Sequence, residues 1–548
     1  MKKFFALTIF LCIVFSCFAV EFEMRLMPAY KIPVRSTFTS NLGITASADL
    51  IPLKIREVDS LYFSLQAGVE FLNEAHIDMQ YVFDAGFAVG YIFRPIDRFS
   101  LAAEFFSGLY NYPKPDYEKL KLQTAHEDTD IKPISGIDLG ARLFASYHVL
   151  PSFTVSAFTG FKSFIYNPHF MDNIEFGLSF KYNFNKGIFS SPKVELEDYV
   201  LNPVYPIFYS RYDDHEFGSV FFVNNEDNDI TDVDISIYVE KYMSNQNVVV
   251  KVPRVKRTES FYGDITAFFN ENILEAETVQ DTDAVIAVDY KSLGKKMRYQ
   301  TVLPLSTLSR NSMSWCDNGT EDNARAAAFV SSRDASALKF ARNVVSAVKN
   351  SLDAKVPENI QYAAALFGAL KKYGINYVKD PASSFEDNIG TDAVDFLQFP
   401  YQTLMYHGGD CDDLSILHCS LLESIGIPAA FVTVPGHIFI AFNSGITADE
   451  AKKVLVNGKY ITTEDGTVWI PVEITLTQDS FRLAWNYGAR EWEENPGTAE
   501  LLPIQNAWTE YQPVSVPEAD KKIILPARNE IADEFKTNIK LIKEKLIR

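Results

Sequence analysis

Along the first third of the chain, apolar residues alternate with small or polar ones at a period of two. Tyr81, Phe83, Ala85, Phe87, Val89, Tyr91 and Phe93 are apolar, and Asp84, Gly86, Ala88 and Gly90 between them are small or polar. Phe99, Leu101, Ala103, Phe105 and Leu109 repeat the pattern, as do Phe176, Leu178, Phe180, Tyr182 and Phe184 against Gly177, Ser179, Lys181 and Asn183. Successive side chains of a strand point to opposite faces, so each run has an apolar outside and a narrow inside. The alternation predicts eight strands near 22–33, 40–50, 61–72, 78–93, 98–110, 135–148, 152–165 and 173–184.

Their length suits an antiparallel β-barrel crossing an outer membrane, and the loop parity agrees. Arg94–Asp97 and Leu150–Ser152 are short and fall at even connections, whereas Asn111–Ser135 is long, charged and at an odd one. An even strand count puts both barrel ends on the short-turn, periplasmic side. The resemblance to small eight-stranded outer-membrane barrels is one of pattern, with no motif behind it. A soluble sandwich with aromatic-rich strands is the alternative. Aromatics at the strand ends and small residues on the opposite face favour the barrel.

From 187 to about 312, Gly218–Val223, Asp232–Glu240, Val248–Val252 and Asp283–Tyr290 alternate between acidic turns such as Asn224–Asn228. This predicts a small immunoglobulin-like β-sandwich, a spacer or docking module without chemistry of its own. From Asp334 the period turns helical. Leu338, Ala341, Val345, Val348 and Leu352 share one face, and Pro357 opens a second run with Ile360, Ala364, Phe367 and Leu370 that Gly374 ends. A last charged helix is expected over about 529–547, with Ile531, Phe535, Ile539 and Ile542 on one side.

Chemistry concentrates between Gly408 and His437. Leu414, Leu417, Leu421, Leu422 and Ile425 recur at helical spacing after Cys411, and Gly426 with Pro428 stops the run. Cys411 therefore sits at or near a helix N-terminus, where free N–H groups and the helix dipole favour a thiolate. A short strand to Pro435 and the apolar run Ile438–Phe442 place His437 at the start of a neighbouring strand, where a base could meet the thiol.

Pro400, Gln402, Thr403 and Leu404, then Gly409-Asp410-Cys411-Asp412-Asp413-Leu414, then Pro435-Gly436-His437 resemble the transglutaminase-like superfamily, in particular its bacterial cysteine peptidases. The match covers roughly residues 317–515. The resemblance implies an α+β, papain-like fold with a Cys, His, Asp-type triad in that order and the third member one strand after the His. Glu473 stands there, where the family more often shows Asp. It implies Cys411 as nucleophile, His437 as base and Glu473 as orienting group, with the Cys411 N–H and Gln402 as oxyanion donors. Asp465 and Asn443 are alternatives to Glu473, and a structural hydrogen bond is the alternative role for Gln402.

Asp410, Asp412 and Asp413 oppose a thiolate, and N-capping or first-turn dipole complementation is the favoured role for Asp410 and Asp412. One of the three could instead bind a substrate amine or a metal. His407, Cys411, His418, Cys419 and His437 offer zinc-ligand types, but their spacing fits no common zinc pattern. His418 is expected to be a partly exposed helix residue and Cys419 a small buried hydrophobe. No cofactor or metal is implied.

At 548 residues several domains are expected, and the net charge of −20 without a basic block argues against nucleic acid or anionic lipid headgroups as partners. Met1–Lys3, the apolar run Phe4–Phe15 and Ser16–Ala19 read as a secretory signal cleaved after Ala19. Lipidation at Cys17 is the alternative, although Phe15 is bulky for that site. Of five cysteines, Cys316, Cys411 and Cys419 remain, and the odd number suggests a thiol kept free; a Cys316–Cys419 disulfide is the other possibility.

The chain thus divides into a signal (1–19), a barrel (20–186), a sandwich (187–312), a transglutaminase-like domain (317–515) and a terminal helix (516–548). The functional expectation is thiol-dependent acyl transfer on a peptide or protein substrate, hydrolysis favoured over crosslinking, in the periplasm. The alternative is a non-catalytic scaffold that binds peptides or cell-wall strands.

Overall fold

The computed structural model describes residues 20–34, 40–56, 58–72, 80–112, 134–165, 172–188, 190–317, 319–379, 393–456, 459–516 and 523–547. The signal and the Cys17 alternative lie outside them.

Strands β1 (Glu21–Pro33), β2 (Asn41–Arg56), β3 (Asp59–Leu72), β4 (Gln80–Ile96), β5 (Phe99–Tyr112), β6 (Ile134–Leu150), β7 (Phe153–Ile165) and β8 (Asn173–Asn183) form a closed antiparallel barrel. β1 closes it against β8, with Leu26 opposite Phe180 and Tyr30 opposite Phe176. The predicted outward residues do point out, so Phe87, Phe105, Leu109 and Leu178 are half or more exposed. The inside is charged. Arg25, Lys31, Arg142 and Lys162 are buried there against Asp49, Glu70, Glu104, Asp138 and Glu175. Interior rings need room, and glycines on neighbouring strands provide it: a Cβ on Gly90 would lie 2.2 Å from the Tyr62 ring.

Short turns join β2 to β3, β4 to β5 and β6 to β7, and both barrel termini share that end. The next domain docks there. Asp97 Oδ2 accepts from the Asp229 N–H at 3.0 Å, and Lys186 bridges Glu21 (3.2 Å) and Asp227 (3.1 Å).

Strands β9 (Val194–Leu201), β10 (Gly218–Asn224), β11 (Ile230–Tyr238), β12 (Asn247–Val255), β13 (Ser260–Asp264), β14 (Gln280–Ser292) and β15 (Lys295–Thr307) build a three-stranded sheet, β13-β10-β9, and a four-stranded sheet, β12-β11-β14-β15. Phe222, Ile235, Ile237, Phe261, Ile286 and Leu305 are buried in one hydrophobic cluster that continues into the C-terminal domain through Phe208, Phe329 and Tyr511. Sandwich and C-terminal domain therefore share an apolar core.

In the C-terminal domain, α1 (Ala335–Val348) is capped by Asp334, whose side chain accepts from the Ala337 N–H, and α2 (Glu358–Tyr373) ends at left-handed Gly374. The phase of α1 differs from expectation. Ala337, Phe340, Ala341, Val344 and Val348 are buried, while Leu338 and Val345 flank the stripe and Leu352 lies past the helix end. Phe340 fills the core and sets the face. A short helix α3 (Pro400–Tyr406) precedes α4 (Cys411–Glu423), which packs on an antiparallel sheet of β16 (Ala429–Val434), β17 (His437–Thr447), β18 (Ile461–Thr462), β19 (Thr467–Val472) and β20 (Glu500–Pro503) in the order β18-β19-β17-β16-β20. The helix α5 (Ala448–Val454) lies between β17 and β18, α6 (Phe481–Glu494) covers β19, and α7 (Arg528–Lys545) packs on α1 and α2 of the same domain.

Candidate active site

Cys411 is the first residue of α4, with Asp410 at the N-cap position. The approach to it is tight. Gly408-Gly409 pairs in parallel with Asn376-Tyr377, and a Cβ on Gly409 would come within 2.5 Å of the Asp413 Cβ. Pro435-Gly436 turns β16 into β17, with Gly436 at φ 74° as the third residue of a type II turn requires. His437 is thus fixed as the first residue of its strand, opposite Val434.

The structure brings Cys411, His437 and Glu473 together. Glu473 Oε2 lies 2.7 Å from His437 Nε2, and Cys411 is near enough for its charge to act on the same imidazole. With Nε2 engaged by Glu473, Nδ1 is the nitrogen left for the thiol. Thr475 holds Glu473 through its N–H (2.9 Å) and hydroxyl (2.5 Å), both to Oε1. Burial opposes charge on His437, but the close approach of Cys411, the hydrogen bond to Glu473 and the negative charge of both outweigh it, raising the imidazole to about 10. Burial would raise Glu473; its hydrogen bond and attraction to His437 and its bonds from Thr475 hold it below the ordinary carboxylate value. The alternatives to Glu473 point elsewhere. Asp465 closes its own turn with Thr463 and Thr467, and Asn443 accepts from the Gly445 N–H.

Gln402, offered as an oxyanion donor or as a structural hydrogen bond, makes structural hydrogen bonds. Its Oε1 accepts from the Phe399 N–H and from Asn311 Nδ2, its Nε2 faces Asn311 Oδ1, and it is buried as a brace at the start of α3. Asp410 departs from expectation: it occupies the N-cap position, but its side chain caps nothing, and Oδ1 is buried without a partner. The carboxylates of Asp410, Asp412 and Asp413 converge within 4.8 Å. Burial, a hydrogen bond with Asp410 and repulsion from its neighbours push Asp412 far up, and burial with the Asp410 charge does the same to Asp413 despite N–H bonds from Gln398 and Asp410.

The five zinc-ligand types do not assemble. His407, left-handed at φ 57°, stacks on Tyr373 at 4.5 Å and faces its carbonyl. His418 is buried rather than partly exposed, because α4 is enclosed on all sides; burial lowers it to about 3. Cys419 is buried as expected, and burial raises its thiol. Cys316, Cys411 and Cys419 form no disulfide with one another.

Two site residues escape the sequence pattern. Glu491, on α6, reaches to 3.9 Å of His437 Nε2, because Gly488 lets the helix press onto the Val472–Glu473 backbone, where a Cβ would meet Val472 N at 2.8 Å. Tyr377, on the strand beside Gly409, has its hydroxyl raised by burial and then by the charges of Cys411, Asp410 and Glu473. Neither belongs to a motif. A glycine three residues before Glu491 in an otherwise ordinary helix is the one available signal.

No family model matches the chain, and no match is found among curated proteins. Among solved structures, the N-terminal barrel is similar to Neisserial surface protein A, at 14% identity over 30% of this chain and 96% of that one, with a TM-score of 0.22. It is also similar to Ail, the attachment invasion locus protein of Yersinia pestis (8% identity, 30% and 96% coverage, TM-score 0.22). The N-terminal β-barrel domain of Pseudomonas aeruginosa OprF is a third such structure (8%, 30% and 97%, TM-score 0.20).

Proposed function

We propose that this chain is an outer-membrane-anchored thiol acyltransferase whose transglutaminase-like C-terminal domain works in the periplasm on peptide or protein substrates. The observation that carries the chemistry is His437, bound at Nε2 by Glu473 at 2.7 Å and close enough to Cys411, at the start of α4, to feel its charge. Glu473 fixes the tautomer with hydrogen on Nε2, so Nδ1 accepts the thiol proton. The Cys411 sulfur then attacks a carbonyl carbon at the helix N-terminus, where the Cys411 N–H donates to the oxyanion. His437 returns the proton to the leaving amine as the C–N bond breaks, leaving a Cys411 thioester. Water, deprotonated by His437, attacks the thioester and expels the thiolate. The family resemblance leans to water over an acceptor amine.

Anchoring rests on the apolar outer face of the barrel and its charged, filled interior. The sandwich docks on the short-turn end, which supports a periplasmic position for everything after residue 187. Its three- and four-stranded sheets support the immunoglobulin-like reading.

A second reading has its own observation: Cys411 is only 7% exposed. A protein that recognises peptides or cell-wall strands through this fold without turnover would keep its thiol so covered. Acid-quenched intact-mass measurement of the full-length protein with activated peptide esters separates the two. A peptide adduct on Cys411 that hydroxylamine removes supports acyl transfer, and absence of any adduct while the peptide binds supports the scaffold. Recovery of the protein in the soluble periplasmic fraction would contradict the anchoring.

A further inference from the structure

Glu491 is a carboxylate the triad does not use. It lies 3.9 Å from His437 Nε2, on the side of the ring that Glu473 holds at 2.7 Å, and the carboxylate and imidazole atoms of these three residues all lie within 4.8 Å of one another. His437 and Glu491 are each about a quarter exposed, so the cluster is open to solvent, whereas Glu473 is closed in. Burial and the neighbouring Glu473 charge raise Glu491, as suits a carboxylate short of a cation.

We propose that His437, Glu473 and Glu491 form a binding site for a divalent cation of the zinc class, and that its occupation switches the Cys411 thiol off. The switching half rests on the acyl-transfer reading; the binding half does not. One imidazole nitrogen, two carboxylates and an open side for water match the donor set of exposed zinc sites. Ligand atoms around a tetrahedral zinc stand about 3.3 Å apart. The Nε2–Glu473 separation must open, and the Nε2–Glu491 separation must close, each by roughly half an ångström. Charge also balances, since two carboxylates neutralise one divalent ion.

The off state follows from the imidazole. A metal takes the Nε2 lone pair in place of a proton, so the ring keeps one proton, on Nδ1, and loses the positive charge that would pair with a thiolate. Nδ1 then faces Cys411 as an N–H donor and cannot accept the thiol proton. The same ion also occupies Glu473, which orients the ring in the active arrangement.

The test uses full-length protein in detergent, titrated with ZnCl₂ calorimetrically, alongside iodoacetamide labelling of Cys411 with and without the metal. Wild type should bind one Zn²⁺, and labelling should slow about tenfold or more at saturation, the size of effect expected from withdrawing a general base. Glu491→Gln should weaken the calorimetric affinity by at least the roughly 10- to 100-fold that loss of an outer partner costs at known zinc sites. Cys411→Ser should bind Zn²⁺ as wild type does, because the sulfur lies on the other side of the ring. Loss of binding in Cys411→Ser, or unchanged affinity in Glu491→Gln, overturns the site. Retained, Glu491-dependent binding with metal-independent labelling overturns the switch. Slow, His437-independent labelling in the absence of metal would instead count against acyl transfer while leaving the binding result to stand.

Discussion

The barrel interior and the thiol site both bury charge, and they do so in opposite ways. In the barrel, cations and anions interlock. Arg25 meets Asp49 at 3.0 Å, Arg142 lies between Glu104 (3.0 Å) and Glu175 (3.1 Å), and Lys162 reaches Glu70, Asp84 and Asp138, each at 2.9 Å. At the thiol site, Asp410, Asp412 and Asp413 converge beside Cys411, while Glu473 and Glu491 lie against His437. Buried charge alone is therefore no sign of function. An interlocked set is packing that happens to be polar, whereas carboxylates in excess of their cations push one another's titration upward.

The largest expected effect lies in the barrel. Glu104→Gln keeps the shape but removes the charge shared by Arg25 and Arg142, and should cost about 3–5 kcal/mol in urea unfolding of the full-length protein in detergent. Cys411 labelling should not change. A loss under about 1 kcal/mol would show that the network is not interlocked.

Next comes Glu473→Gln, which should slow Cys411 alkylation about 100-fold at neutral pH. It should also return His437 from about 10 toward its ordinary value, read by the pH dependence of labelling. The stability difference between wild type and this variant has a defined window. The raised His437 contributes fully below its ordinary value of 6.5 and loses its contribution as pH rises through about 10. The depressed Glu473 contributes above its ordinary value of 4.5 and loses it as pH falls through the lowered value. The difference should therefore peak between 4.5 and 6.5.

The smallest effect concerns His418. It is buried neutral at about 3, so the unfolded chain takes up a proton below 6.5 that the folded chain refuses. Wild type should lose about 2 kcal/mol between pH 6.5 and 5 relative to His418→Leu, measured as denaturant midpoints. Parallel pH profiles for the two proteins would contradict the buried neutral imidazole.

The barrel was the more legible region. Alternation at a period of two places Phe83, Phe87 and Val89 outside with no knowledge of what lies inside, because strand geometry leaves two faces to choose between. The interior ion pairs were not legible, since Arg25, Glu104 and Arg142 come from separate strands and meet only when the barrel closes. In the C-terminal domain, Cys411 and His437 stood out because each follows a local signal, a helix start and a Pro-Gly turn, whereas Glu473 was reached only through the family resemblance. The bracing bonds of Gln402 were not legible in detail, because a glutamine before the thiol suits both a donor and a brace and its partner Asn311 is remote in sequence. His418 was misread because the enclosure of α4 depends on helices that come before it and strands that follow. Glu491 depends on a helix pressed close by Gly488, a contact no periodicity announces.

The most direct measurement is mass-spectrometric labelling of the full-length protein with limiting iodoacetamide, in wild type and His437→Ala. Cys316, Cys411 and Cys419 are all buried and form no disulfide with one another, so each molecule carries its own controls. An activated thiol predicts selective labelling of Cys411 in wild type that slows about 100-fold in His437→Ala, while Cys316 and Cys419 stay slow in both. Equal, slow labelling of all three thiols in both proteins would contradict the account.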